Sequence, residues 1–97
     1  MNLKGDKATP DTLEVTLYTR AGCQLCEEAK SQMAPLLAEF GARLREVDID
    51  ADPQLRELHN FDVPVISLNG RKIAKHRIDP HQFRRQLQEA QHRSGRF

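Results

Sequence analysis

The sequence has no tryptophan, one tyrosine and four phenylalanines among its 97 residues. Its core must therefore rest on Leu, Val, Ile and Ala, with Phe40, Phe61 and Phe83 as the bulky members. An excess of one charge is also missing: 15 basic residues face 14 acidic ones, for a net charge of +1. That balance provides no general pull toward nucleic acid or an anionic membrane. No apolar run is long enough to span a bilayer. The first residues, Met1-Asn2-Leu3-Lys4-Gly5-Asp6, lack the apolar stretch of a secretory signal, so a cytoplasmic location is expected. Cysteine is scarce, with two in the chain. Structural disulfides are rare in a reducing compartment. The pair Cys23 and Cys26 is thus expected to be catalytic, redox-sensing or metal-binding rather than a staple.

What is present fits one domain. Residues 1–11 are polar, with Gly5 and Pro10, and read as a flexible leader. Residues 12–91 form the domain, and 92–97 a flexible tail, with fraying expected from Gln91 onward. Leu13-Glu14-Val15-Thr16-Leu17-Tyr18 alternates apolar and polar residues and predicts a strand. A helix follows over 23–40, where Leu25, Ala29, Met33, Leu36 and Phe40 recur at spacings of three and four. Gly41 stands where a left-handed helix cap is wanted. Pro35 lies inside that helix and should bend it. Residues 42–49 predict a second strand whose many charges suit a sheet edge. Asp52-Pro53 starts a short helix with Leu55 and Leu58 facing inward. Residues 63–68 and 71–76 predict two strands joined at Asn69-Gly70, a strong hairpin turn. Asp79 and Pro80 open the last helix, with Ile78 and Phe83 as a hydrophobic staple and Leu87 and Ala90 continuing the stripe. The order β-α-β-α-β-β-α predicts an α/β fold. The first two strands are parallel across a helical crossover, within a mixed four-stranded sheet carrying helices on both faces.

Cys23 follows a strand and opens a helix. The unpaired N–H groups and dipole at a helix start favour a thiolate, the nucleophilic form of cysteine. Cys26 lies one turn further along on the same side, within reach of a disulfide with Cys23 or of a mixed disulfide held there. Arg20 adds positive charge nearby; Glu27 and Glu28 oppose a thiolate, or accept a proton from Cys26. A zinc site is the other reading of the pair, completed by two of His59, His76, His81 and His92. His81 and His92 are 11 apart, too far for zinc-knuckle spacing. Arg71, Lys72, Lys75, His76 and Arg77 form a basic stretch, either a solvated edge or a surface that steers an acidic partner.

Three features together resemble the thioredoxin superfamily: the Cys-x-x-C pair opening the first helix, Val63-Pro64 opening the third strand, and the element order. The likeness is greatest to small glutaredoxin-like proteins. These share Cys23-Gln24-Leu25-Cys26-Glu27-Glu28-Ala29, Val63-Pro64-Val65 and Asn69-Gly70. The resemblance implies a thioredoxin-like fold, with Cys23 attacking and Cys26 resolving. It implies that Pro64 is cis and sits against the dithiol, and that the Val63 backbone pairs with an extended substrate. Arg20 and Asp79 fit the places where glutaredoxins bind glutathione. The chain departs from the pattern in four places. Gln24-Leu25 replaces the usual Pro-Tyr, Asp62 stands where Thr is usual, His76-Arg77 replaces Gly-Gly, and Leu17 replaces thioredoxin's buried acid.

The reading expected is a thiol–disulfide oxidoreductase with no bound cofactor or metal and with glutathione as a candidate co-substrate. Its partners would be protein disulfides or glutathione mixed disulfides and an outside reductant, with no nucleic acid or membrane, and it would act as a monomer. Two rival readings stand beside it. One is a redox-sensing or protein-binding module with little turnover. The other is metal or iron–sulfur binding through Cys23, with glutathione and a second chain.

Overall fold

In the computed structural model, which describes residues 13–94, eight elements follow one another. They are β1 (Glu14–Thr19), α1 (Gln24–Phe40), β2 (Arg43–Asp48), a 3-10 turn (Ile49–Ala51), α2 (Pro53–His59), β3 (Val65–Leu68), β4 (Arg71–Lys75) and α3 (Pro80–Ser94). The sheet order is β2-β1-β3-β4. β1 pairs parallel with β2 and antiparallel with β3, and β3 pairs antiparallel with β4. The α/β fold expected from the sequence is therefore the one observed, with the charged second strand at an edge. Asn69 and Gly70 both adopt positive φ, at 52° and 88°, as a tight hairpin between β3 and β4 requires.

Strand alternation gives the sheet two unlike faces. Val15 and Leu17 stand opposite Leu68 and Ile66 on one face, while Thr16 and Tyr18 stand opposite Ser67 and Val65 on the other. The first face carries the main core, where Leu13, Val15, Leu17, Ile66 and Leu68 meet Ala29, Met33 and Leu37 of α1 and Phe83, Leu87 and Ala90 of α3. The α1 stripe that reaches the core is Cys26, Ala29, Met33 and Leu37. It is rotated slightly from the expected one, with Leu36 and Phe40 only partly buried beside it. Pro35 does not interrupt α1. Pro35 and Ser31 both lie on the exposed side, where water can satisfy the Ser31 carbonyl that the proline cannot.

Helix ends follow local chemistry. Gly41 caps α1 at φ 61°, and the Ala42 N–H reaches back to the Leu37 carbonyl at 2.9 Å. Asp52 caps α2 by accepting the Gln54 N–H at 2.9 Å, and Asp79 caps α3 by accepting the His81 N–H at 3.0 Å. α3 runs on to Ser94, past residue 91 where the domain was expected to end. His92 and Arg93 in its last turn suit the negative end of the helix dipole. The expected leader, residues 1–11, lies outside the described residues, as do residues 95–97 of the tail. Among the described residues, no helix is long and apolar enough to cross a membrane.

Two expectations about packing are corrected. Phe61 is not a core residue: it is 87% exposed, and Leu58 does not face inward but is 68% exposed. No residue of α2 is buried. The second face mixes buried Thr16 and Ser67 with buried Val65, a less continuous apolar surface than the first. A helix there has little to gain by turning leucines inward.

Candidate functional site

The sheet topology gathers five segments at one end. β1 and β2 are parallel, so the residues after both emerge together; β3 runs the other way, so the residues before it emerge there too, with those that follow β4. The dithiol loop after β1, the turn after β2, Asp62-Val63-Pro64, His76-Arg77 and the start of α3 thus share the carboxyl end of β1. Open α/β sheets commonly place their sites at this end.

Cys23 is the N-cap of α1, with extended backbone. Its Sγ accepts the Cys26 N–H at 3.1 Å, satisfying one of the donors a helix start leaves free. Cys23 and Cys26 are joined in a disulfide, with Cα atoms 5.2 Å apart, an ordinary span for such a bridge. Their accessibilities differ: Cys23 is half-buried, while Cys26 is completely buried. Gly22 just before the pair has φ 74°, a left-handed turn that brings the chain from β1 into the helix.

Val63 and Pro64 lie just before β3, and the peptide bond between them is cis. Pro64 is buried and its carbonyl accepts the His76 N–H at 2.7 Å. His76 has φ 71°, so this position keeps a left-handed backbone although it carries a side chain where the resembling family has glycine. The His76 Nε2 lies 3.0 Å from the Phe61 carbonyl and 3.9 Å from the Asp62 carboxylate.

Arg20 and Asp79 are each engaged within the fold. Arg20 makes two hydrogen bonds to the Asp50 carboxylate, at 2.7 and 3.1 Å. It also donates to both the carbonyl and the side-chain oxygen of Asn60, each at 3.0 Å. The Arg20 hydrogen bond holds the Asp50 carboxyl below the usual carboxylate range, and the same bond raises Arg20. Asp79 uses its carboxylate as the α3 cap. Arg77 faces Glu28 of α1 at 3.8 Å, and Lys75 faces Asp62 at 3.8 Å.

Asp50, Asn60 and Phe61 went unrecognised in the sequence as parts of this end. Arg20 is 30 residues from Asp50 and 40 from Asn60, separations at which no local spacing signal operates. Among the described residues, no group of three or more His, Cys, Asp and Glu is placed to hold a metal ion.

The family described as Glutaredoxin-like domain (DUF836) matches residues 14–88. The chain is 34% identical over 76 residues to an uncharacterized protein of Mycobacterium tuberculosis, across 73% of this chain and 78% of that one. A structural-genomics protein from X. campestris is similar at TM-score 0.66 and 30% identity, over 77% of this chain and 96% of the other. Chloroplastic thioredoxin z superposes with TM-score 0.67 over 84% of this chain and 80% of its own, but at 13% identity that likeness is one of fold alone. Since the match spans β1 to α3 with the cysteine pair at the strand-to-helix junction, this chain belongs to the glutaredoxin-like domain family and has the thioredoxin fold.

Proposed function

We propose that the protein is a thiol–disulfide oxidoreductase working through Cys23 and Cys26. The observation that carries this reading is their unequal placement. A half-buried sulfur stands at the positive end of a 17-residue helix, and a fully buried one lies one turn behind it. The helix start favours thiolate at Cys23, and burial keeps Cys26 from reacting first.

In the reduced protein the Cys23 thiolate attacks one sulfur of a substrate disulfide. The substrate S–S bond breaks, a mixed disulfide forms on Cys23, and the other substrate sulfur leaves as a thiolate. That thiolate takes the Cys26 proton. Cys26 then attacks Cys23 Sγ, the mixed disulfide breaks, and the second substrate sulfur leaves as a thiolate and picks up a proton from water. Two electrons pass from the pair to the substrate, leaving Cys23–Cys26 oxidised. An outside thiol, either glutathione or a protein dithiol, must return them.

Val63 belongs to no strand ladder and stands beside the cis peptide bond, a place from which its backbone can pair with an extended substrate. The family likeness supports a role for Pro64 against the dithiol; Arg20 and Asp79, the positions that match glutathione-binding ones, are engaged with Asp50, Asn60 and the α3 cap. The chemistry needs no bound metal or cofactor and suits a monomer in the cytoplasm.

A glutathione redox titration with thiol trapping and intact-mass analysis tests this. The expected result is reversible interconversion of the pair between dithiol and disulfide, with Cys23→Ser abolishing reduction of a disulfide substrate. Thiols that stay reduced throughout, or full activity in Cys23→Ser, would overturn it and favour a binding module with little turnover.

A further inference from the structure

The end of the sheet that carries the dithiol is poor in available positive charge and rich in exposed apolar surface. Arg20 is committed to Asp50 and Asn60. Lys75 faces Asp62 and Arg77 faces Glu28. Each of these cations already has a carboxylate partner, so the carboxylates of a net-negative tripeptide such as glutathione must compete for them, most severely at Arg20 with its four hydrogen bonds. Asp62, which Lys75 faces, comes immediately before Val63, the residue beside which a substrate strand would lie.

Phe61 and Leu58 supply the opposite property. They are the large hydrophobic side chains left exposed among the described residues, at 87% and 68%. They are three positions apart, across the end of α2. Phe61 is not on a stray loop. Asn60 before it is held by Arg20 of the dithiol loop, the Phe61 carbonyl is 3.0 Å from His76 Nε2, and Asp62 after it faces Lys75. The ring is thus presented from a tethered backbone on the segment leading into Val63-Pro64. Covering such a ring with an apolar partner is worth on the order of ten- to a hundredfold in a binding constant.

We infer that the dithiol acts on disulfides within extended protein segments that carry an uncharged apolar residue beside the cysteine, seated on Phe61 and Leu58, and discriminates against glutathione disulfides. This rests on the oxidoreductase reading above and names its substrate class. The electron and proton balance is the one given there, with the protein segment as the disulfide that is reduced. Because a glutathione thiolate attacking Cys23–Cys26 passes through the same mixed disulfide, glutathione is a poor resetting reductant for the same reasons. The outside reductant is then a protein dithiol.

The test uses the full reduced chain as a stoichiometric reductant, with oxidation of the pair followed by trapping and mass. Three substrates are compared: a disulfide-linked peptide with leucine beside the cysteine, glutathione disulfide, and hydroxyethyl disulfide, which is small and uncharged. The peptide is expected to react at least about tenfold faster than glutathione disulfide, and Phe61→Ser to lower the peptide-to-hydroxyethyl rate ratio about tenfold, the value of one covered ring. Leu58→Ser should lower the same ratio by a smaller factor. Glutathione disulfide reacting as fast as the peptide, or a ratio unmoved by both substitutions, overturns the inference while leaving the oxidoreductase reading intact. A pair inert toward all three substrates overturns the oxidoreductase reading itself, and the inference with it.

Discussion

The two faces of the sheet are built from the same strands yet hold their helices in different ways. On one face Val15, Leu17, Ile66 and Leu68 present a continuous apolar surface, and α1 and α3 bury their stripes against it. On the other, Thr16 and Ser67 are buried polar residues, and α2 approaches through His59, whose ring lies 4.7 Å from that of Tyr18. The first attachment is hydrophobic and continuous with the core. The second is a set of discrete contacts at the ends of α2: the Tyr18–His59 rings, the Arg20–Asp50 pair before it and the Arg20–Asn60 bonds after it. The cysteines stand on the helix held by the core, where geometry is fixed. The exposed apolar residues stand on and beside the helix held by polar contacts, where surface is left over for a partner.

The sharpest way to break this contrast is to truncate one core residue of α1. Met33 is completely buried, and Met33→Ala should cost about 2–5 kcal/mol. Urea unfolding should show a lower midpoint, and because the dithiol rides on the same helix, the redox activity should be lost over the same range of urea. A loss below ~1 kcal/mol would mean that α1 is held by something other than its stripe.

A cap removal on the other face should do less. Asp52→Ala deprives the Gln54 N–H of its acceptor and should cost about 1 kcal/mol. Hydrogen exchange should accelerate mainly within residues 53–59, with α1 amides little changed. Uniform acceleration across both helices would show that α2 is as continuous with the core as α1 is.

Acid should separate the two faces without any substitution. The Asp50 carboxyl is held below its ordinary value by the Arg20 hydrogen bond. A depressed folded value contributes stability that is fully present above the unfolded carboxylate value of about 3.9 and is lost as pH falls through the folded value. The raised Arg20 value acts only in strong alkali and leaves neutral pH untouched. Between pH 7 and pH 5 the tether is therefore constant; below about pH 4 exchange at residues 60–62 should rise. Asp50→Asn should already show the faster exchange at neutral pH and lose this acid dependence.

The parts of this molecule that were legible in the sequence are those decided within a few residues. Gly41, Asp52, Asp79 and Asn69-Gly70 act on backbone groups beside them, so helix ends and the hairpin could be read directly. The Cys23/Cys26 spacing at a strand-to-helix junction announced the dithiol for the same reason. What spacing could not show was the surface against which a helix packs. Leu55 and Leu58 look like an inward stripe in any window of sequence. Leu55 is half-buried and Leu58 exposed, a difference set by tertiary packing and not by their spacing. Phe61 was assigned to the core on size alone, and Arg20 was read as free charge because Asp50 and Asn60 lie 30 and 40 residues away.

The smallest expected effect is the one that distinguishes a leftover surface from a packing defect. Leu58→Ala removes a large apolar side chain that is 68% exposed. If α2 buries nothing there, stability should change by no more than about 0.5 kcal/mol. If Leu58 instead supports α2 from its edge, the same substitution should approach the ~2 kcal/mol typical of a leucine truncated in a core. Urea unfolding of Leu58→Ala beside Met33→Ala decides between these. A near-zero value means that the leucine adds nothing to the fold and that its surface is open to a partner, as the Phe61 and Leu58 substrate test requires.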